Sequence, residues 1–197
     1  MTLKLGLTGS IGMGKSTTAK MFADFGIPVW DADAAVHRLY SRGGAAVSAI
    51  KQKFPAAIVD DEVSRQKLKQ LISVEPTILS EIEKIVHPLV ALDRQKFMEI
   101  TDSDIVIFDI PLLFETGGNR HMDLVACVNV DFETQRDRVL QRGTMTQEQF
   151  EQIRSKQHPN DLKCQQSDFI IQTDSFEHTR AQVAHIIDLI RKEHINA

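Results

Sequence analysis

The chain has 197 residues, 42% of them apolar and 25% charged, with 10 glycines and 6 prolines. That balance excludes a collagenous, low-complexity or mainly disordered chain and suits one domain with a sizeable insertion. A formal charge of −4 at pH 7 gives no global basic field, which argues against nucleic acid or an anionic membrane as the main partner.

Lys4 to Thr8 (KLGLT) reads as a short buried strand, and Lys15 to Phe25 as a helix that Gly26 stops. Pro28 to Trp30 is a second apolar run, ending at Asp31. Ile105 to Phe108, Leu124 to Val130 and Phe169 to Ile171 are further strand candidates, each bounded by polar or turn residues. Continuous apolar strands alternating with helical patterns predict the α/β class, a parallel sheet with helices on both faces. Val183, Ile186, Ile187 and Ile190 supply the packed stripe of a last helix.

Residues 32 to 104 separate the second strand from the third, far more than the dozen or so a crossover needs. Their apolar spacing is helical, as in Ile78, Leu79, Ile82, Ile85, Val86 and Leu89, with Pro88 expected to kink or interrupt the run. Residues 42–101 are therefore read as a helical subdomain inserted into a core of 1–41, 102–142 and 168–197. The segment 143–167 reads as irregular and carries Arg154, Lys156 and Lys163, which makes it a candidate lid.

Cys127 and Cys164 are too few and too far apart in sequence for a disulfide framework or a Cys-rich zinc site, and Cys127 reads as a small buried hydrophobe. No apolar run reaches the length of a membrane span and no signal peptide is evident, so the cytoplasm is the expected location.

Gly9-Ser10-Ile11-Gly12-Met13-Gly14-Lys15-Ser16 fits G-x-x-x-x-G-K-[ST] at every fixed position, between a strand and a helix. Glycines there let backbone N–H groups form a concave nest for phosphate oxygens, and the helix N-terminus adds partial positive charge. Lys15 would neutralise the β and γ phosphates, and Ser16 would offer its hydroxyl to Mg²⁺. Asp109 ends the Ile105 strand, where open α/β sheets place their ligands; it either serves that metal or caps a turn. In Asp31-Ala32-Asp33-Ala34-Ala35-Val36-His37 one carboxylate caps the following helix, and the other is available to take a proton from an acceptor hydroxyl. His37, one turn after Asp33, either bonds that carboxylate or packs. Arg138 and Arg142 are i, i+4 neighbours, a solvated pair or a polyphosphate clamp.

In combination these residues resemble the dephospho-coenzyme A kinases. The matches are GLTGSIGMGKST at 6–17, DADAAVH at 31–37, His87-Pro88-Leu89-Val90, Pro111-Leu112-Leu113-Phe114-Glu115, Gln135 with Arg138, Gln141-Arg142, Gln157, and Ser167-Asp168-Phe169-Ile170-Ile171. The resemblance implies transfer of the ATP γ-phosphate to the ribose 3′-hydroxyl of dephospho-CoA, the last step of coenzyme A synthesis. It implies a five-stranded P-loop core, CoA binding in the helical insertion and a mobile lid, in a monomer or small homo-oligomer.

By the same resemblance Asp33 is the base, Lys15 the phosphate clamp and Arg142 a nucleotide contact beside the lid. Gly12, Met13, Gly14, Ser16, Thr17 and Arg138 join Lys15 and Arg142 around ATP, with Mg²⁺ on Ser16 and Asp109. Asp33, His37, His87, Pro111, Leu112, Leu113 and Glu115 border the acceptor. The chain departs from the family pattern at Ser10 and Met13 in the loop, at Gly143 where Asp usually follows the arginine, at Ser167, and at Thr173 where Asn is expected. Another small P-loop kinase remains the alternative enzyme. A GTPase-like switch is disfavoured, because Asn129-Val130-Asp131 lacks the lysine of a guanine-reading motif.

Overall fold

A computed structural model describes residues 2–195 of the protein. In chain order the elements begin with β1 (Leu3–Thr8), α1 (Lys15–Asp24), β2 (Val29–Asp31), α2 (Ala32–Tyr40) and α3 (Val47–Lys53). They continue with β3 (Ile58–Val59), β4 (Glu62–Val63), α4 (Arg65–Val74), α5 (Ile78–Ile100), β5 (Ile105–Asp109) and β6 (Leu124–Asn129). The chain closes through α6 (Phe132–Gln141), α7 (Gln147–Lys156), α8 (Asn160–Gln165), β7 (Phe169–Gln172) and α9 (Phe176–Ile190). It divides into two compact units, one formed by residues up to Trp30 and from Asp102 onward, the other by Asp31–Thr101.

The first unit carries a five-stranded sheet among the described residues, in the order β2-β5-β1-β6-β7. The apolar β1 lies at its centre and pairs parallel with β5 on one side and β6 on the other, while β7 runs parallel to β6. Register sets Leu7 opposite Asp109 and Thr8 opposite Cys127, so the loop leaving β1 emerges beside the carboxyl ends of both neighbours. Burial on both faces explains the unbroken apolar runs. Leu5, Leu7, Ile105, Ile107, Ala126 and Val128 join Phe22 of α1 and the Val183, Ile186, Ile187, Ile190 stripe of α9 in one core.

In the second unit α2 packs on α5, and Leu39, Ile50, Leu68, Ile82 and Val86 form its separate core. The β3–β4 hairpin turns through Asp60 and Asp61, both at positive φ (50° and 62°), the conformation a two-residue hairpin turn needs and short polar side chains tolerate. Helix α5 continues as one element through Pro88, so the proline does not interrupt it; it sits on an exposed face, where water can take the carbonyl that loses its N–H partner. One expectation is corrected. The segment 143–167 is not irregular but holds α7 and α8; α7 starts with a full capping box between Thr146 and Gln149.

Candidate active site

The glycine loop takes its shape from positions where side chains do not fit. Gly12 and Gly14 stand at φ 80° and 89°, and a Cβ on Gly12 would lie 2.6 Å from Val139 Cγ2 and 2.9 Å from the Gln135 carbonyl. Gly14 occupies the N-cap of α1, which has no side-chain cap; the first-turn N–H groups are therefore open to an anion. Ser16 and Thr17 are exposed there. Lys15 turns toward β5, and its Nζ donates to Asp109 Oδ1; the Asp109 side chain is only 3% exposed. Loop cation and strand-end carboxylate are thus paired at the mouth of the loop.

Side chains distant in sequence brace the loop from outside. Gln135 Nε2 donates to the Ile11 carbonyl at 2.7 Å. The Ile11 N–H donates to Gln157 Oε1 at 3.0 Å, and the Ser10 N–H to Asn160 Oδ1 at 2.9 Å. Gln135 is buried, and its side-chain amide is aimed at the loop. Asn160 and Lys163 escape a reading by motif, because a single Asn or Lys on a short helix carries no local signal.

Gly14, Thr17, Arg138, Arg142, Thr173, Ser175 and Phe176 line one cleft of about 250 Å³. Within it Arg138 donates through Nη1 to Thr173 Oγ1 (3.1 Å) and through Nη2 to the Thr173 carbonyl (2.5 Å). Thr173 Oγ1 in turn donates to the Met13 carbonyl at 2.8 Å. Thr173, where the resemblance predicts Asn, therefore ties the glycine loop to α6. Arg142 ends α6 and is exposed, and Gly143 follows it at φ 64° in the left-handed turn that closes the helix.

The segment 111–115 is held in place by Lys163. The Lys163 side chain has no solvent exposure; its Nζ lies 2.8 Å from Glu115 Oε1 and donates to the Pro111 carbonyl at 3.1 Å. This corrects the reading of Lys163 as a lid cation, since its charge is spent inside the protein. Burial pushes the Glu115 carboxyl up, but the Lys163 ammonium and the backbone N–H groups, including that of His158, outweigh it and hold the group below its ordinary range. Glu115 Oε2 is buried without a hydrogen-bond partner. Leu112 is exposed, whereas Leu113 is fully buried beneath Gly6 and Gly118 and offers no ligand surface. Arg154 lies 4.6 Å over the Phe132 ring.

Asp33, His37 and His87 belong to the second unit. Asp31 is the N-cap of α2, its Oδ1 accepting the Ala34 N–H at 2.9 Å, and Asp33 is exposed in the first turn. The choice left open between the two carboxylates is thereby made by backbone geometry. His37 Nδ1 lies 3.1 Å from Ser41 Oγ, and His87 is exposed on α5. Among the described residues no cluster of three or more His, Cys, Asp or Glu stands ready to hold a metal. The donors at the loop are one hydroxyl and one carboxylate, hard oxygen ligands that suit Mg²⁺ arriving with a nucleotide and are too few to bind it alone.

A parallel sheet whose central strand delivers a Gly-Lys-Ser loop, with the loop lysine paired to the carboxylate ending the next strand, defines a nucleotide-binding fold of the P-loop kinase class. The family model for dephospho-CoA kinase matches residues 3–178, and the chain belongs to that family. A dephospho-CoA kinase from Ruegeria pomeroyi is 61% identical over 100% of both chains. The crystal structure of TT1252 from Thermus thermophilus superposes with a TM-score of 0.87 at 26% identity, covering 95% of this chain and 97% of that one. A dephospho-CoA kinase from Campylobacter jejuni shares the fold, with a TM-score of 0.73 at 22% identity over 99% of this chain and 100% of its own. Among the described residues no helix is long and apolar enough to cross a membrane.

Proposed function

We propose that the protein transfers the γ-phosphate of ATP to the ribose 3′-hydroxyl of dephospho-CoA, giving ADP and CoA. The observation that carries this reading is the Lys15–Asp109 pair under an uncapped helix N-terminus, in a chain of this family. ATP phosphates occupy the nest from Gly12 to Thr17, and the base lies in the cleft of Arg138, Arg142 and Thr173. Binding moves Lys15 from Asp109 onto the β and γ phosphates. Ser16 and Asp109 are the residues that would hold Mg²⁺; the ion supplies charge neutralisation for the phosphoryl group in flight. Asp33, released from capping by Asp31, accepts the proton of the attacking hydroxyl.

The acceptor is bordered by His37, His87, Pro111, Leu112 and Glu115, with residues 42–101 as its subdomain. Residues 143–167 act as the lid, excluding water as a competing nucleophile. The enzyme works in the cytoplasm as a monomer or small homo-oligomer. Mass spectrometry of the purified protein with Mg-ATP and dephospho-CoA, with AMP, shikimate and water alone as parallel acceptors, tests the reading. CoA should form stoichiometrically with ADP, and roughly 10²–10³-fold more slowly in Lys15→Ala; preference for AMP or shikimate would overturn the acceptor assignment.

A further inference from the structure

The two cysteines, 37 positions apart in sequence, meet in the fold: Cys127 Sγ on β6 and Cys164 Sγ on α8 are 3.4 Å apart. Both are free thiols; Cys127 has no solvent exposure, and Cys164 is 9% exposed. Their sulfurs already face one another at contact distance, the condition most cysteine pairs fail. Asn160 lies against both, its Nδ2 3.6 Å from Cys164 Sγ and its Oδ1 3.9 Å from Cys127 Sγ. The same Oδ1 accepts the Ser10 N–H of the glycine loop. Helix α8 thus carries three anchors within two turns: Asn160 to the loop, Lys163 to Glu115 and Cys164 to β6.

We propose that Cys127 and Cys164 form an oxidation site, a dithiol that a low-molecular-weight disulfide converts to an intrachain bond, and that closing this bond slows turnover by displacing Asn160 from Ser10. The order of events follows from exposure. The Cys164 thiolate attacks one sulfur of the small disulfide, forming a mixed disulfide and expelling the first small thiolate. The Cys127 sulfur then attacks Cys164 and expels the second. Two protein thiols are oxidised to one disulfide, and the small disulfide is reduced to two thiols that carry away both protons. The contact with Cys127 holds the Cys164 thiol below its ordinary range, while the same contact and burial push Cys127 up, which fits Cys164 as the attacking group.

The test uses the full chain with oxidised glutathione, followed by unfolding, alkylation and intact-mass analysis. The expected product has lost about 2 Da, two hydrogens, and resists alkylation at both cysteines. Peptide mapping should join Cys127 to Cys164, and turnover should fall several-fold and recover with dithiothreitol. Cys164→Ser, at the less buried of the two positions, and Cys127→Ala should each abolish the mass loss and the oxidant sensitivity. Two thiols that stay alkylatable, a stable glutathione adduct on Cys164 or a disulfide between chains would overturn the site. A Cys127–Cys164 bond that forms without change in turnover would overturn its effect on the loop. The mass readout does not depend on which acceptor is phosphorylated.

Discussion

Thr173 receives the Arg138 guanidinium twice, on its hydroxyl and on its carbonyl, and its own hydroxyl donates to the Met13 carbonyl of the glycine loop. One side chain at the end of β7 therefore sets the spacing between the glycine loop and Arg138. Thr173→Val keeps the shape and removes the hydroxyl, leaving buried partners unsatisfied at a cost of about 1–2 kcal/mol. The ATP KM should rise roughly tenfold with kcat nearly unchanged, and Thr173→Ser should restore it. Steady-state kinetics at varied ATP decide; an unaltered KM would remove Thr173 from nucleotide positioning.

Lys15→Ala removes the cation that pairs with Asp109 and that we propose meets the incoming phosphates. The loss is expected in the transition state more than in the ground state, lowering kcat by roughly 10²–10³, the range for deleting one preorganised charge or donor. Its companion Asp109→Asn should weaken Mg²⁺ dependence, read as a higher Mg²⁺ concentration for half-maximal rate. Circular dichroism establishes that both variants fold.

Asp33→Asn tests the base. Because Asp31 already caps α2, the substitution leaves the helix intact, and kcat should fall by about 10²–10⁴, the usual worth of general base catalysis, with the ATP KM little changed. Near-normal turnover would reassign the proton acceptor.

Lys163→Met leaves the Glu115 carboxylate buried without its cation, a loss of roughly 3–5 kcal/mol, measurable as a lower urea midpoint. Joining it to Glu115→Leu should recover most of that loss. The pH dependence has a definite sign. Glu115 is held below 4.5 when folded, so its contribution is fully present above that value and is lost as pH falls through the lower folded value. Asp104, held low first by its hydrogen bond from Arg191, adds a contribution of the same sign. Glu115→Gln should therefore flatten the acid limb of stability below about pH 4.5, as followed by thermal melting.

The shape of the glycine loop and its place between strand and helix were legible in the chain itself. Gly9 to Ser16 between an apolar run and a helix, Asp109 at the end of another apolar run, and the paired arginines of α6 are local patterns. A strand buried on both faces and a nest built from glycines leave periodic or fixed-spacing traces that neighbouring residues alone determine. The same holds for the insertion, whose helical spacing shows in Ile82, Val86 and Leu89.

What only the tertiary structure decided are contacts between residues far apart in the chain, chosen by the packing of elements and not by any spacing within them. The passage of α5 through Pro88 rests on which face of that helix meets water. Lys163 reads as a surface cation until α8 packs on β6 and buries it against Glu115. Cys127 and Cys164 appear unrelated until the same packing sets their sulfurs 3.4 Å apart. Thr173 looks like the loss of an expected Asn, yet parallel pairing of β7 with β6 brings it to Asn129, Met13 and Arg138. Local propensity cannot encode these relationships, because each depends on which strand lies next to which.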